Sequence, residues 1–216
     1  MISVPVEKSS LIVVGGPRFT GREAILYKLL ASHTEQKAVI STCKTGEKAR
    51  QRYDDYGGTD HPLTVIDCVS IPASCPHKID EHHLLADHPT DLTDIGIQTT
   101  ELFEITDEAD GILAVSNITV LTRFHASETV LKFVHKLQQL ATGYGWTLIV
   151  GVDTSVEPNR IIAQLSERAD ALIETRMRDE TAEYRVRHGQ TQADWQVQPA
   201  ALQPAVLTAA TSSHCD

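Results

Sequence analysis

Short apolar runs rich in Val and Ile alternate along the chain with longer stretches in which apolar residues recur every three or four positions. Strands buried on both faces give the first pattern and amphipathic covering helices give the second. Their alternation predicts an α/β domain: a mostly parallel sheet with helices on both faces. Strands are expected at Leu11–Val14, Ala38–Thr42, Leu63–Cys68, Gly111–Ser116, Thr147–Val152, Ala171–Glu174, Glu183–Arg187 and Trp195–Val197. Helices are expected at Gly21–Ser32, Gly46–Tyr56, Leu92–Glu104, Ser127–Thr142 and Pro158–Arg168. In the fourth helix Val130, Leu131, Phe133, Val134, Leu137 and Leu140 form one apolar stripe, read as core rather than a binding face. Ser127 is its expected N-cap and Gly143 its stop, while Pro158 suits the first turn of the fifth helix. The last three strands are joined by polar turns too short for helical crossovers, which predicts a C-terminal antiparallel meander. Beyond Pro199 the chain turns to Ala, Pro, Thr and Ser without periodicity, so one domain over 1–199 and a flexible tail over 200–216 are expected.

Composition narrows the partners. With 29 acidic against 19 basic residues the formal charge is -10, so the average surface repels nucleic-acid backbones and anionic lipid. Nucleic acid and membrane are therefore not expected as partners. The acid excess resembles that of proteins from salt-in halophiles, with an ordinary acidic cytosolic protein as the alternative. No apolar run approaches the ~20 residues of a spanning helix, and MISVPVEKSS lacks a secretory apolar stretch, so a cytoplasmic location is expected. Cys43, Cys68, Cys75 and Cys215 show no CxxC spacing, which fits reduced thiols.

The segment LIVVGGPRFTGREAILYKLL reads as strand, glycine-rich turn and helix, the context in which backbone amides and a helix N-terminus cradle phosphate. Gly16-Pro17-Arg18-Phe19-Thr20-Gly21 has the spacing of the Walker A signature, but Arg22 stands in place of its lysine and Glu23 in place of its Mg²⁺-binding hydroxyl. Arg22 can neutralise phosphate without reproducing a compact ammonium. Glu23 sets a negative charge beside the phosphates. Gly15, Gly16, Thr20, Gly21, Arg22 and Glu23 are the candidate cofactor-binding residues, with ATP as the candidate ligand and no resident metal expected.

In order and spacing, the segments from about Ser9 to Val197 resemble the RecA-like ATPases of the KaiC group, including archaeal KaiC-like proteins and archaellum accessory ATPases. The resemblance implies a RecA-like P-loop three-layer sandwich of archaeal type. It also implies that Thr42-Cys43-Lys44 stands where relatives carry the glutamate that polarises attacking water. Ser116 occupies the Walker B aspartate position. Asp170 matches an aspartate that precedes a strand near the sheet edge, and Arg185-Val186-Arg187-His188-Gly189 resembles a Lys-x-Arg-Gly element that reaches a neighbouring subunit's nucleotide. With lysine, hydroxyl, glutamate and aspartate all replaced, the machinery for placing metal and stabilising transition-state charge is altered throughout, which argues against an enzyme.

The leading expectation is a non-hydrolysing regulatory or scaffold protein with weak or no nucleotide binding, acting through protein partners, related RecA-like subunits among them. One alternative is an active or slow ATPase, in signalling or DNA-related regulation, in which Arg22 replaces the lysine and Asp110, Asp67 or Asp153 holds the metal. Another is a zinc or redox sensor built from Cys68, Cys75, His77, His82, His83 and His88, although their spacings fit no standard module and the stretch reads more simply as a solvated loop. Cys43, beside Lys44, reads as a buried or incidental cysteine, and 176–180 as a hairpin turn of mixed charge.

Overall fold

The computed structural model describes residues 10–32, 36–58, 62–70, 78–106, 110–156, 160–189 and 191–199. The 200–216 segment therefore lies outside the described residues, as does Pro158. The elements in chain order are β1 (Leu11–Gly16), α1 (Arg22–Ser32), β2 (Gln36–Ser41), α2 (Gly46–Asp55), β3 (Thr64–Asp67), β4 (Lys78–Asp80), β5 (His83–Leu85), α3 (Leu92–Ile105) and β6 (Gly111–Val115). A 3-10 turn (Ile118–Arg123), α4 (Ser127–Gly143), β7 (Trp146–Asp153), α5 (Arg160–Ser166), β8 (Ala171–Arg178), β9 (Thr181–His188), β10 (Thr191–Gln192) and β11 (Gln196–Val197) follow.

All strands join one sheet ordered β10-β9-β8-β1-β7-β6-β2-β3-β5-β4, with β11 also on β9. From β8 to β5 the neighbours run parallel, while β9, β10, β11 and β4 pair antiparallel at the two ends, giving a mixed α/β sheet. The two-residue alternation along each strand divides the core. Leu11 and Val13 of β1 face a cluster with Phe103 of α3, Phe133 and Leu137 of α4, and Ile161 of α5. Ile12 and Val14 face another with Ile25, Leu26 and Leu30 of α1 and Tyr53 of α2. Helices thus cover both faces, which is why the central strands read as unbroken apolar runs.

Several expectations need correction. The stretch from Cys68 to His88 is not simply a solvated loop: β5 adds a parallel strand beside β3 and β4 closes that edge, with Leu84 fully buried and His83 nearly so. The three-residue strands carry His and Lys, so their sequence has no strand-length apolar run to mark them. Ser127 is the first residue of α4 rather than its cap, which is Ala126, and the helix runs through Gly143 to stop at Gly145, whose φ of 77° ends it. The mixed-charge segment forms the predicted hairpin: Asp179 and Glu180, with φ of 47° and 63°, are the two loop residues between β8 and β9.

Candidate functional site

Strand β1 ends in Gly15-Gly16 and the chain turns through 17–21 into α1. Phe19 and Gly21 take left-handed φ values of 63° and 77°, which fold the turn back on itself. The turn is braced from beneath. The Thr20 hydroxyl donates to the Pro17 carbonyl at 2.7 Å and lies 2.6 Å from Thr175 Oγ1. Gln198, itself buried, donates from Nε2 to the Thr20 carbonyl at 2.7 Å. A Cβ on Gly16 would run into the side chain and backbone carbonyl of Thr175, and one on Gly21 would displace the bracing Gln198 amide and sit on a backbone at φ 77° that favours glycine.

A cleft of about 630 Å³ opens above this turn at the carboxyl ends of β1, β2, β6 and β7, where the strand order departs from sequence order and α/β sheets bind ligands. Of the sequence-expected residues, Gly21, Arg22 and Glu23 line it, whereas Gly15, Gly16 and Thr20 belong to the braced frame below. Its walls carry Arg18, Arg22, Lys44, Arg52 and Arg123 against two carboxylates, Glu23 and Asp153. Both carboxylates are paired: Lys44 Nζ lies 2.5 Å from Glu23 Oε1, and Arg18 Nε donates to Asp153 Oδ2 at 2.9 Å. Burial pushes the Asp153 carboxyl up, but hydrogen bonds from Arg18 and Ser155 and the charge of Arg22 outweigh it and hold it below the usual range. Arg22 is partly buried, with one long hydrogen bond from Nη1 to Asn117 Oδ1 at 3.4 Å. Desolvation lowers its pKa against the opposing pull of Asp153, Cys43 and Glu23, yet a guanidinium remains charged at neutral pH.

At the ends of β2 and β6 the chain builds an uncharged clamp. The Thr42 amide donates to Ser116 Oγ at 3.1 Å, and the Thr42 hydroxyl donates to the Asn117 carbonyl at 2.7 Å. The clamp ties the end of β2 to the end of β6. Cys43 is exposed in the cleft wall, so a buried place for it is not what the fold provides.

The other candidates lie elsewhere. Asp67 is fully buried and accepts hydrogen bonds from the Gly46 amide at 2.6 Å, the Ser70 hydroxyl at 2.6 Å and the Val69 and Ser70 amides, with His83 Nε2 at 3.3 Å. Asp110 precedes β6, at the end of the sheet opposite the cleft. Cys68 is buried, and burial pushes its thiol up. Cys75 and His77 lie outside the described residues, and among the described residues no group of three or more His, Cys, Asp or Glu is placed to hold a metal ion. Asp170 accepts from the Leu11 amide at 2.7 Å and anchors the start of β1. Arg185 pairs with Glu174 at 2.7 Å and Arg176 with Glu183, and the two guanidiniums lie 4.6 and 3.9 Å from the ring of Trp195. Sequence reasoning missed Arg52, Arg123, Tyr56 and Asn117 as cleft residues; Arg123 ends the 3-10 turn, which no apolar periodicity marks.

Residues 8–175 match the family of unknown function DUF7504. No curated protein matches the sequence. Among solved structures, the uncharacterized protein PH0321 from Pyrococcus horikoshii, in complex with an unknown peptide, is similar with a TM-score of 0.62 and 10% identity, over 89% of this chain and 93% of that one. The KaiC-like protein PH0186 from Pyrococcus horikoshii OT3 is similar with a TM-score of 0.60 and 12% identity, over 89% and 91%. At these identities the likeness is one of fold, a mixed α/β sheet with helices similar to that of a KaiC-like protein.

Proposed function

The chain belongs to the family of unknown function DUF7504, and from that premise we propose that it is a RecA-type, KaiC-like regulatory or scaffold protein that acts through protein partners without hydrolysing ATP. The observation that carries the reading is the uncharged clamp of Thr42, Ser116 and Asn117 together with the Lys44–Glu23 pair. Hydrolysis needs a carboxylate to order Mg²⁺ and a base to orient water, and these act as a unit with the phosphate-binding cation. The placement of β1 between β7 and β8, with helices on both faces, supports the three-layer RecA-like arrangement.

Two features support action through partners. A protein of similar fold, PH0321, was solved in complex with an unknown peptide. In this chain an apolar groove of about 970 Å³ runs between α3 and α4, floored by Phe133 and Leu137, with Glu101 and Glu104 on one rim and Lys132 and Lys136 on the other. Such a groove fits an amphipathic helix of a partner whose flanks carry both signs of charge. Among the described residues no helix is long and apolar enough to cross a membrane, and the reading places the protein in the cytoplasm.

A slow ATPase is the second reading, favoured by the position of Asp153 in the cleft. That carboxylate is already engaged by Arg18 and by the Ser155 amide at 2.9 Å. Phosphate release from ATP with Mg²⁺, followed in low and in molar salt on protein confirmed folded by circular dichroism, separates the two. No release above the buffer rate is expected; turnover abolished by Arg22→Ala would establish the ATPase instead.

A further inference from the structure

We infer that the cleft binds a phosphorylated anion of the di- or triphosphate class without a divalent cation, with Arg22 and Lys44 supplying the positive charge that a metal ion would otherwise bring. The inference rests on reading the cleft as a non-hydrolytic RecA-type pocket and names what that pocket takes.

Charge is the first argument. In a chain of net charge -10 this cleft gathers five cationic side chains around two carboxylates, and each carboxylate already has a partner. Arg22 and Arg123 come on top of those pairs, and among the described residues the Arg52 side chain is tied by an exposed contact with Asp55 at 3.5 Å, of a kind that holds weakly. Arg22 sits at the first position of α1, partly out of water and with one long hydrogen bond, so a guanidinium fork with five donors has capacity left for an anion.

The second argument is that, among the described residues, each carboxylate of the cleft is already engaged by a cation and no group of three or more His, Cys, Asp or Glu is placed to hold a metal ion. A hard cation needs carboxylate or hydroxyl oxygens in a near-octahedral shell. Glu23 is held by Lys44, Asp153 by Arg18, and the Ser116 hydroxyl is engaged by the Thr42 amide, with the Thr42 hydroxyl 3.2 Å away. A metal ligated by Glu23 or Asp153 would compete with the cation already paired to that carboxylate. The frame, by contrast, keeps the anion-binding part of the design. The turn at 17–21 is braced in a phosphate-loop shape, and among the described residues no protein acceptor is paired with the amides of Phe19, Gly21, Arg22 and Glu23 at the start of α1. At about 630 Å³ the cleft is large enough for a small phosphorylated molecule.

Mg²⁺ lowers the charge of the phosphates it binds, so a cationic cleft should prefer the uncomplexed anion. The test is isothermal calorimetry on the full chain with ADP and with pyrophosphate, each in EDTA and in saturating Mg²⁺. Binding in EDTA should equal or exceed binding in Mg²⁺. Lys44→Ala should weaken metal-free binding roughly tenfold or more, because Glu23 then faces the phosphates uncompensated, and Mg²⁺ should restore part of the loss. Glu23→Gln, which removes the charge that Lys44 offsets, should retain metal-free binding and provides the control if Lys44→Ala fails to fold. Binding that requires Mg²⁺ in the unsubstituted protein, or no binding of either probe, overturns the inference. Neither result bears on whether ATP is hydrolysed, which phosphate release reads separately.

Discussion

Phe19 holds a left-handed backbone at φ 63° with its ring 78% exposed, so it bears the steric cost of that conformation and gains little from burial in return. Glycine adopts the same angles freely, at the expense of greater freedom in the unfolded chain. Phe19→Gly is therefore expected to stabilise the fold by about 0.5–1 kcal/mol, read as a Tm rise of about 1–3 °C. A fall in Tm would show that the ring packs more productively than its exposure implies. Phe19 was legible only as a filler position of the signature, whereas Arg22 and Glu23 stood out as departures from it. What the sequence could not show is that Lys44, 21 residues from Glu23, neutralises that carboxylate. The two meet because β2 and α1 converge on one sheet end, a matter of topology and not of spacing.

At the scale of elements, the buried Asp67 joins the end of β3 to the start of α2 and to the turn that follows. Burial pushes its carboxyl up, but hydrogen bonds from His83, the Ser70 hydroxyl and the Ser70 and Val69 amides together hold it well below the usual range. A carboxyl depressed in the folded state stabilises fully above its unfolded pKa near 4 and loses that contribution as pH falls through the folded-state value. Asp67→Asn should cost about 2–3 kcal/mol at pH 7, and the gap to the unsubstituted protein should narrow below about pH 4. Urea unfolding at both pH values checks this, and a gap that stays constant would remove the assignment. The β8–β9 hairpin makes a second case, because neither Asp179 nor Glu180 is the residue its positive φ favours most. Replacing the pair by Asn-Gly should add about 1 kcal/mol, measured by the same unfolding. Long periodic segments such as α4 were readable from sequence because most of their stripe packs into the core, although Phe133 and Leu137 also floor the groove between α3 and α4. The three-residue β4 and β5 were not, since their pairing comes from the edge of β3 and each is too short to make a strand-length apolar run.

Across the whole molecule, the alternation of apolar strands and amphipathic helices was enough to predict a mostly parallel sheet covered on both faces, and the short polar turns predicted antiparallel pairing at one end. Strand order was not readable from periodicity alone, and it is the order that brings β1, β2, β6 and β7 to a common cleft. The order also makes one contact span nearly the entire chain. Gln198, just past β11, reaches the carbonyl of Thr20 across a sequence separation of 178 residues. Because a polypeptide emerges from the ribosome starting at its N-terminus, the turn after β1 is made well before the residue that braces it. The cleft therefore stays without that brace while the intervening stretch is made, and a chain that stops short of Gln198 has the turn's sequence without the strut that finishes it.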